Sequence, residues 1–151
     1  LTKLGNRWYF NIRLTQEIER NRRGCYSVCV AAIDVDNFKQ INDQLGHYAG
    51  DAVLVNISNI FRKYTRNLDV VARWGGDEFV IIFPDTDIRS SLEITNKLKD
   101  VVLESEECGI ATVSIGVVAI DRDWDKKQVI REVDLMLRAA KKTKNSVVSL
   151  A

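Results

Sequence analysis

Apolar residues along the chain follow two patterns, one typical of strands and the other typical of helices. Residues 26–34, "YSVCVAAID", form a continuous apolar run that predicts a strand buried on both faces. The segment "VARWGGDEFVIIF", residues 71–83, joins two apolar runs through a pair of glycines and predicts a β-hairpin. Two further runs, 110–120 and 146–150, also predict strands.

Between these runs the apolar residues recur at helical spacing. Helices are predicted over 35–47, 50–66, 87–105 and 126–144. The apolar residues assigned to the inner faces of the first three are Phe38, Ile41 and Leu45, then Val53, Ile57, Ile60 and Phe61, then Leu92, Ile94, Leu98, Val101 and Val102.

The order of these elements predicts the fold class. Strands and helices alternate imperfectly, with one antiparallel hairpin in the middle of the chain. This order favours an α/β fold in which helices flank a mixed central sheet, rather than a doubly wound parallel sheet. A chain of 151 residues has the length of one domain with one substantial core, so we expect a single domain over 1–151.

Composition and charge place the chain among ordinary globular proteins. Apolar residues make up 46%, charged residues 28%, and the formal net charge is +1, which favours neither a general nucleic-acid nor a membrane partner. Three cysteines, Cys25, Cys29 and Cys108, have no metal-binding spacing and indicate structural thiols in the reducing cytoplasm. The chain begins without Met, inside "LTKLGNR", and we expect it to be part of a longer regulatory protein.

The tip of the predicted hairpin concentrates polar chemistry. Gly75 and Gly76 allow a positive φ and leave no Cβ in the way, so another molecule can approach their backbone closely. Asp77 and Glu78 then present adjacent carboxylates beside that open surface. On this stretch alone, a solvated hairpin with a glycine turn is the alternative.

A second pair of acids follows the first predicted strand. Asp34 and Asp36 lie two residues apart and therefore share one face of the strand. A carboxylate at the end of a buried strand is costly without a partner, and Mg²⁺ is one such partner. Asp36 has a simpler alternative as the cap of the next helix. If this strand lies beside the hairpin, Asp34 and Asp77 face each other across the sheet edge.

Three segments together resemble a known family. "IDVDNFKQINDQLGHYAGD", "RWGGDEF" and "TVSIGV", in this order and spacing, closely resemble the GGDEF domains, the diguanylate cyclases of bacterial signalling. The resemblance extends from "LTKLGNR" to "KNSVV". It implies a mixed sheet of the nucleotidyl-cyclase and polymerase-palm type. It also implies that two GTP molecules are joined, each 3′-hydroxyl attacking the other's α-phosphate, into cyclic di-GMP and two pyrophosphates.

The resemblance also implies a metal site and a catalytic group. Asp34, the backbone carbonyl of Val35 and Asp77 would hold Mg²⁺ or Mn²⁺, and Glu78 would add to the metal shell. Asp77 would also act as the base for the 3′-hydroxyl, and Lys39 would bind the phosphates. These roles suit the chemistry, because a cation activates the hydroxyl and neutralises the leaving pyrophosphate. A solvated helix lysine is the alternative for Lys39.

Other matched positions imply how GTP is recognised. Asn42 and Asp51 match the positions that read the guanine, and a carboxylate at Asp51 disfavours ATP because adenine offers it no donor pair. Alone, Asn42 could be a surface residue and Asp51 a helix cap. The rest of the implied substrate-binding set is Phe38, Gly76 and Lys141.

A product-inhibition site is implied upstream of the hairpin. "RNLD" places Arg66 and Asp69 at the family's RxxD spacing, where an arginine fork and an acid bind cyclic di-GMP. Lys97 is a candidate third member. The alternative is a generic Arg/Asp pair at a turn.

The chain departs from the family pattern near its C-terminus. Members read like "AD-x-ALY-x-AK-x-x-GRN", whereas "VDLMLRAAKKTKN" has Arg138 at the tyrosine, no glycine and one residue fewer. Lys141 is still expected to reach the triphosphate, with either Lys142 or Lys144 as the second basic contact. "LTKL" also replaces "LTGL". We assign the single histidine, His47, to a structural hydrogen bond.

The functional expectation is an active, GTP-dependent diguanylate cyclase that works as two half-sites across a homodimer. We expect it in the cytoplasm, as the cytosolic part of a membrane-anchored or multidomain protein, without contact to membrane or nucleic acid. The main alternative is an inactive domain that serves as a receptor for cyclic di-GMP or GTP. A related nucleotidyl cyclase that uses another base is a third possibility, against which Asp51 argues.

Overall fold

A computed structural model describes residues 1–24 and 26–150, so the predicted thiol of Cys25 lies outside the described residues. Within them the helices are α1 (Arg7–Arg22), α2 (Phe38–Leu45), α3 (His47–Lys63), α4 (Ile88–Glu104) and α5 (Lys126–Thr143). The strands are β1 (Val28–Asp36), β2 (Val70–Gly75), β3 (Glu78–Pro84), β4 (Thr112–Ala119) and β5 (Ser146–Ser149). A 3₁₀ turn, Glu106–Cys108, precedes β4.

The strands form one sheet in the order β2-β3-β1-β4-β5. Strand β1 pairs antiparallel with β3 and with β4, and β2 and β3 form the predicted hairpin, whereas β4 and β5 pair in parallel. The sheet is therefore mixed, which confirms the predicted fold class. Because β1 is central, its last residues lie between the hairpin on one side and β4 on the other.

Helices cover both faces of the sheet, which explains why β1 is apolar throughout rather than alternating. One face, which includes Ile33 of β1, packs against α2, α3 and α4. The other face, which includes Val30 and Ala32, packs against α1 and α5. None of the described helices is both long enough and apolar enough to cross a membrane.

Four of the five described helices were predicted, with shifted ends. Gly46, at φ 89°, separates α2 from α3, and α3 ends at Lys63 rather than at residue 66. Helix α4 turns Ser91, Thr95, Leu98 and Val102 inward, so the predicted Leu92 and Ile94 are only partly buried. The hydroxyls of Ser91 and Thr95 donate to backbone carbonyls of the helix itself, which allows these polar residues to be buried.

Helix α1 was not predicted from the sequence. Asn6 caps it by accepting a hydrogen bond from the N–H of Tyr9 at 2.9 Å. Its buried apolar residues are spaced four apart, at Phe10, Leu14 and Ile18. Glu17 is also fully buried, where it accepts hydrogen bonds from Tyr26 and Arg20. The remaining two free cysteines of the described chain, Cys29 and Cys108, are buried, as expected of structural thiols.

Candidate active site

The ends of β1 and β3 bring the predicted acids together. Asp34 lies opposite Glu78 in the sheet register, and the N–H of Val35 donates to the carbonyl of Asp77 at 3.1 Å. Burial raises the pKa of Asp34 to about 6, and the charge of Asp77 adds to that rise. Asp34 and Asp77 are therefore close together, although the residue directly opposite Asp34 is Glu78 rather than the predicted Asp77.

Lys141 of α5 lies over this acidic cluster. Its Nζ is 3.1 Å from Asp34 Oδ1 and 3.3 Å from Asp36 Oδ1. Burial lowers the pKa of Lys141, but the two carboxylates outweigh that effect and raise it above its ordinary value. Asp34 Oδ1 is buried, and apart from Lys141 it has no hydrogen-bond donor among the described residues. A lysine thus supplies the positive charge at the place where a metal ion was predicted.

Asp36 has a different environment from Asp34, two residues away. The hydroxyls of Thr112 and Ser114 each donate to it at 2.7 Å, and the N–H of Asn145 donates at 2.9 Å. Burial opposes ionisation, but these donors outweigh it and lower the pKa of Asp36. The residue before α2 is Asn37, so the alternative of Asp36 as a helix cap is wrong. Asp36 instead joins β1 to β4 and to the segment after α5.

The arrangement of acids fits a hard divalent cation that arrives with phosphates. Within the described residues, no group of three or more acidic, histidine or cysteine side chains could hold a metal by itself. Mg²⁺ commonly binds through one or two carboxylates and completes its shell with water and substrate phosphates. Asp34, Asp77 and the Val35 carbonyl match that donor set, and the buried oxygen of Asp34 that lacks a hydrogen bond supports the match.

The hairpin turn is held by an arginine that the sequence analysis did not identify. Arg73 donates to the carbonyl of Gly76 through Nε at 3.0 Å and Nη2 at 2.6 Å. The register shifts between Arg73 and Gly75 as the chain enters the turn. Neither Gly75 nor Gly76 adopts the positive φ that glycine allows. A Cβ on Gly76 would meet nothing within 4 Å, which leaves the predicted open surface.

The residues predicted to bind the base lie where α2 meets α3. Asn42 is half-buried on α2, and its Oδ1 has no hydrogen-bond partner among the described residues. Asp51 is exposed within α3, which begins at His47, so the alternative of Asp51 as a cap is wrong. Lys39 is exposed and makes no ion pair within the described chain, so its ammonium group is available. His47 is also exposed and lacks the predicted hydrogen bond to any described residue.

The altered C-terminal segment lies beside the same site. Lys144 and Asn145 have φ values of 60° and 44°. The ammonium group of Lys144 donates to Asn37 Oδ1, in the loop between β1 and α2, at 3.2 Å. Lys142 is exposed. Of the two candidates for the second basic contact, Lys144 is therefore the one that contacts the β1–α2 loop.

The predicted inhibitory pair lies at the opposite end of the sheet, before β2. Arg66 Nη2 is 2.8 Å from Asp69 Oδ1, and the N–H of Arg66 donates to Asp69 Oδ2 at 2.7 Å. Arg66 Nη2 also donates to the Pro84 carbonyl and to the hydroxyl of Thr86. Arg66 borders two surface clefts of about 490 and 300 Å³. Lys97 borders neither cleft and lies over the ring of Tyr64 instead.

Comparison with known proteins identifies the family. Residues 1–146 match the family described as "Diguanylate cyclase, GGDEF domain". The chain belongs to the GGDEF domain family. Diguanylate cyclase DgcP of Pseudomonas aeruginosa is 35% identical to this GGDEF domain over 148 residues, which cover 94% of this chain and 22% of DgcP. The chain spans between 22% and 35% of the length of the first curated relatives that it matches.

Solved structures of GGDEF domains have the same fold. The GGDEF domain of YfiN, also called TpbB, from Pseudomonas aeruginosa has a TM-score of 0.91 and 31% identity, and the match covers 100% of this chain and 99% of that one. The coiled coil and GGDEF domain of DgcB from Caulobacter crescentus, in complex with cyclic di-GMP, has a TM-score of 0.91 and 26% identity, with coverages of 99% and 83%. The predicted family and fold are thereby confirmed.

Proposed function

We propose that this GGDEF domain is an active diguanylate cyclase, which joins two GTP molecules into cyclic di-GMP and releases two pyrophosphates. The observation that carries the proposal is the buried Oδ1 of Asp34, which has only Lys141 as a partner among the described residues and lies close to the charge of Asp77. Relatives named diguanylate cyclases support the same activity. Its place as one domain of a longer regulatory protein in the cytoplasm stays a prediction.

The residues at the end of β1 would hold a metal ion. Asp34, Asp77 and the carbonyl of Val35 would bind Mg²⁺ or Mn²⁺, with Glu78 beside them across the sheet. Bound there, the cation would neutralise charge on the triphosphate and make the 3′-hydroxyl more acidic. Lys141 would exchange Asp34 for a phosphate oxygen while its ammonium group keeps its contact with Asp36.

Each nearby side chain has a defined part in the proposed reaction. Asp77, whose side chain is partly exposed at the hairpin turn, accepts the proton of the 3′-hydroxyl. Lys39 binds phosphate oxygens where negative charge accumulates. Asn42 and Asp51 bind the guanine edge and thereby select GTP over ATP. The other residues that contact substrate are Phe38, Gly76 and Lys141.

Two copies of the chain are needed for one product. A single chain offers one hairpin, one Asp34/Asp77 pair and one Lys39, whereas cyclic di-GMP contains two new phosphodiester bonds. Each copy therefore presents its bound nucleotide to the copy opposite, and the reacting atoms meet at the interface of a homodimer.

Product inhibition would act through Arg66 and Asp69. The Arg66 side chain is 42% exposed, and its Nη1 makes no hydrogen bond to the described residues, so one edge of the guanidinium group is free for a phosphate or a guanine. The same feature supports the second candidate function, an inactive domain that binds cyclic di-GMP as a receptor.

One experiment separates the two candidates. The protein is incubated with GTP and Mg²⁺, or with ATP and Mg²⁺, and the products are identified by mass spectrometry. We expect cyclic di-GMP and pyrophosphate from GTP and no cyclic dinucleotide from ATP. Absence of product from GTP, together with binding of cyclic di-GMP in calorimetry, would favour the receptor.

A further inference from the structure

Helices α2 and α3 approach each other closely at Asn42 and Gly50. Only Gly46 separates the two helices, and its N–H donates to the carbonyl of Asn42 at 2.9 Å. One turn later, Gly50 is buried in α3 with its N–H bonded to the carbonyl of Gly46 at 3.2 Å. The side-chain amide of Asn42 packs against the backbone of Gly50.

A side chain at residue 50 would collide with that amide. A Cβ on Gly50 would overlap Asn42 Oδ1, come 3.0 Å from Asn42 Cγ and lie 3.4 Å from Phe38 Cε1. Contacts of this kind require a neighbour to move. The neighbour with freedom to move is the Asn42 side chain, because its Oδ1 has no hydrogen-bond partner among the described residues.

Backbone conformation does not explain a glycine at this position. Gly50 lies inside a helix and is not among the glycines with a positive φ, in contrast to Gly46. Alanine favours a helix interior by about 1 kcal/mol relative to glycine. Glycine is therefore unfavourable for α3 itself, and the reason for its presence is the space that it leaves beside α2.

We propose that Gly50 is a positioning residue for base recognition: the absence of a side chain there holds the Asn42 amide against α3, turned toward the guanine. This inference rests on the proposed function, in which Asn42 contacts the guanine edge. A side chain at residue 50 displaces the amide from that pose, and the site loses affinity for guanine nucleotides in particular.

The test measures nucleotide binding without turnover. The probes are the α,β-methylene analogues of GTP and ATP, which cannot release pyrophosphate, and their affinities are measured by calorimetry in the presence of Mg²⁺. We expect Gly50→Ala to bind the guanine analogue about tenfold more weakly, the effect of losing one hydrogen bond in the site. The preference for guanine over adenine should fall by the same factor. Thermal stability should not fall below that of the parent protein. Ala52→Ser, an addition of one atom at an exposed position of α3, should leave the affinity and the preference unchanged and lower thermal stability only slightly, because serine favours a helix less than alanine.

A double-variant cycle separates this inference from the proposed function. If Gly50 acts through Asn42, Gly50→Ala has no further effect on binding in an Asn42→Ala background. An Asn42→Ala variant with unchanged affinity would overturn both the inference and the proposed contact of Asn42 with guanine. Two outcomes would overturn the inference alone. In the first, Asn42→Ala weakens binding but Gly50→Ala does not. In the second, Gly50→Ala weakens binding equally in the parent protein and in the Asn42→Ala variant.

The cycle also covers the case in which Gly50→Ala fails to fold. The double variant lacks the colliding amide, so it should fold and match the nucleotide affinity of Asn42→Ala. A double variant that still fails to fold would show that the collision lies elsewhere, and the inference would be wrong.

Discussion

The two ends of the central sheet each carry a carboxylate paired with a basic side chain, but the pairs differ in how well they are satisfied. At the end of β1, the buried Oδ1 of Asp34 forms an ion pair with Lys141 and has no other donor among the described residues. At the opposite end, the fully buried side chain of Asp69 accepts hydrogen bonds from the backbone and the guanidinium group of Arg66.

The difference lies in the ratio of charges and in the number of donors. Lys141 is shared between Asp34 and Asp36, and Asp77 adds further negative charge, so the first end has more acid than base. At the second end Asp69 shares its basic partner Arg66 with no other carboxylate in an ion pair among the described residues, and the two close the turn before β2. An excess of acid suits the binding of a cation with a phosphate ligand, whereas a balanced buried pair is costly to break because either partner alone would be left uncompensated. Of the two carboxylates, Asp34 is therefore the one that suits a cation as a further partner.

The largest effect is expected from Asp77→Asn. The substitution removes a proposed metal ligand and the proposed base, so turnover of GTP should fall by about three orders of magnitude or more. The free energy of unfolding should change by less than about 0.5 kcal/mol, because the side chain of Asp77 is only partly buried and the substitution leaves its backbone in place. Mass-spectrometric assays and denaturant titration measure the two quantities.

The matched control is the same acid-to-amide change at the other end of the sheet. Asp69→Asn should lower the free energy of unfolding by about 1–3 kcal/mol, because a buried acceptor of several hydrogen bonds is altered, while synthesis of cyclic di-GMP continues. Near-normal turnover in Asp77→Asn would contradict the role assigned to that residue.

The next effect concerns assembly, since only the Asp34 end must face a second copy of the chain. If the domain is largely monomeric in dilute solution, its initial rate should rise with nearly the square of enzyme concentration. Specific activity would then rise about tenfold over a tenfold range of concentration. The measurement is specific activity at saturating GTP, with light scattering in parallel.

A fusion provides the control for assembly. A coiled coil joined to the N-terminus should raise specific activity and remove most of its dependence on concentration, because it increases the effective concentration of the partner. Constant specific activity in a protein shown to be monomeric would rule out the two-half-site mechanism for this chain.

The sequence was sufficient to predict most of the fold because the apolar periods are strong. The continuous apolar run of β1 and the glycines of the hairpin indicated the elements that carry Asp34 and Asp77. Helix α1 escaped prediction because its buried apolar positions are few and a charged residue, Glu17, lies among them. Tyr26 and Arg20 satisfy that glutamate, and this pairing becomes visible only after folding.

The parts of the site that escaped prediction depend on contacts between distant residues. Asp36 looked equivalent to Asp34 in the sequence, but its donors Thr112, Ser114 and Asn145 come from segments more than 70 residues away. Local sequence contains no sign of such partners.

A smaller effect is expected from Arg66→Ala. Without the guanidinium fork, cyclic di-GMP should bind more weakly. The concentration of cyclic di-GMP that halves the rate of synthesis should therefore rise about tenfold. It should also destabilise the domain by about 1–3 kcal/mol, because the buried carboxylate of Asp69 loses its partner. Calorimetry with cyclic di-GMP on the folded protein measures the affinity.

Arg62→Ala is the control for this prediction, because Arg62 borders the 300 Å³ cleft beside Arg66 and its side chain donates a hydrogen bond only to Asn59 among the described residues. It should leave both the affinity and the stability close to those of the parent protein. Unchanged affinity for cyclic di-GMP in Arg66→Ala would show that "RNLD" is only a turn.

The smallest effect is expected from Ser114→Ala at the end of β1. The substitution removes one of the donors to Asp36 but leaves the bonds from Thr112 and Asn145 and the contact with Lys141. A carboxylate that keeps three partners should lose only about 1 kcal/mol of stabilisation, as measured by denaturant titration. Ser149→Ala on β5 is the matched control, because its hydroxyl makes no hydrogen bond to the described residues, and it should change stability by less than half as much. A loss in Ser114→Ala no larger than in Ser149→Ala would mean that Asp36 is not stabilised by its donors, and the contrast with Asp34 would then fail.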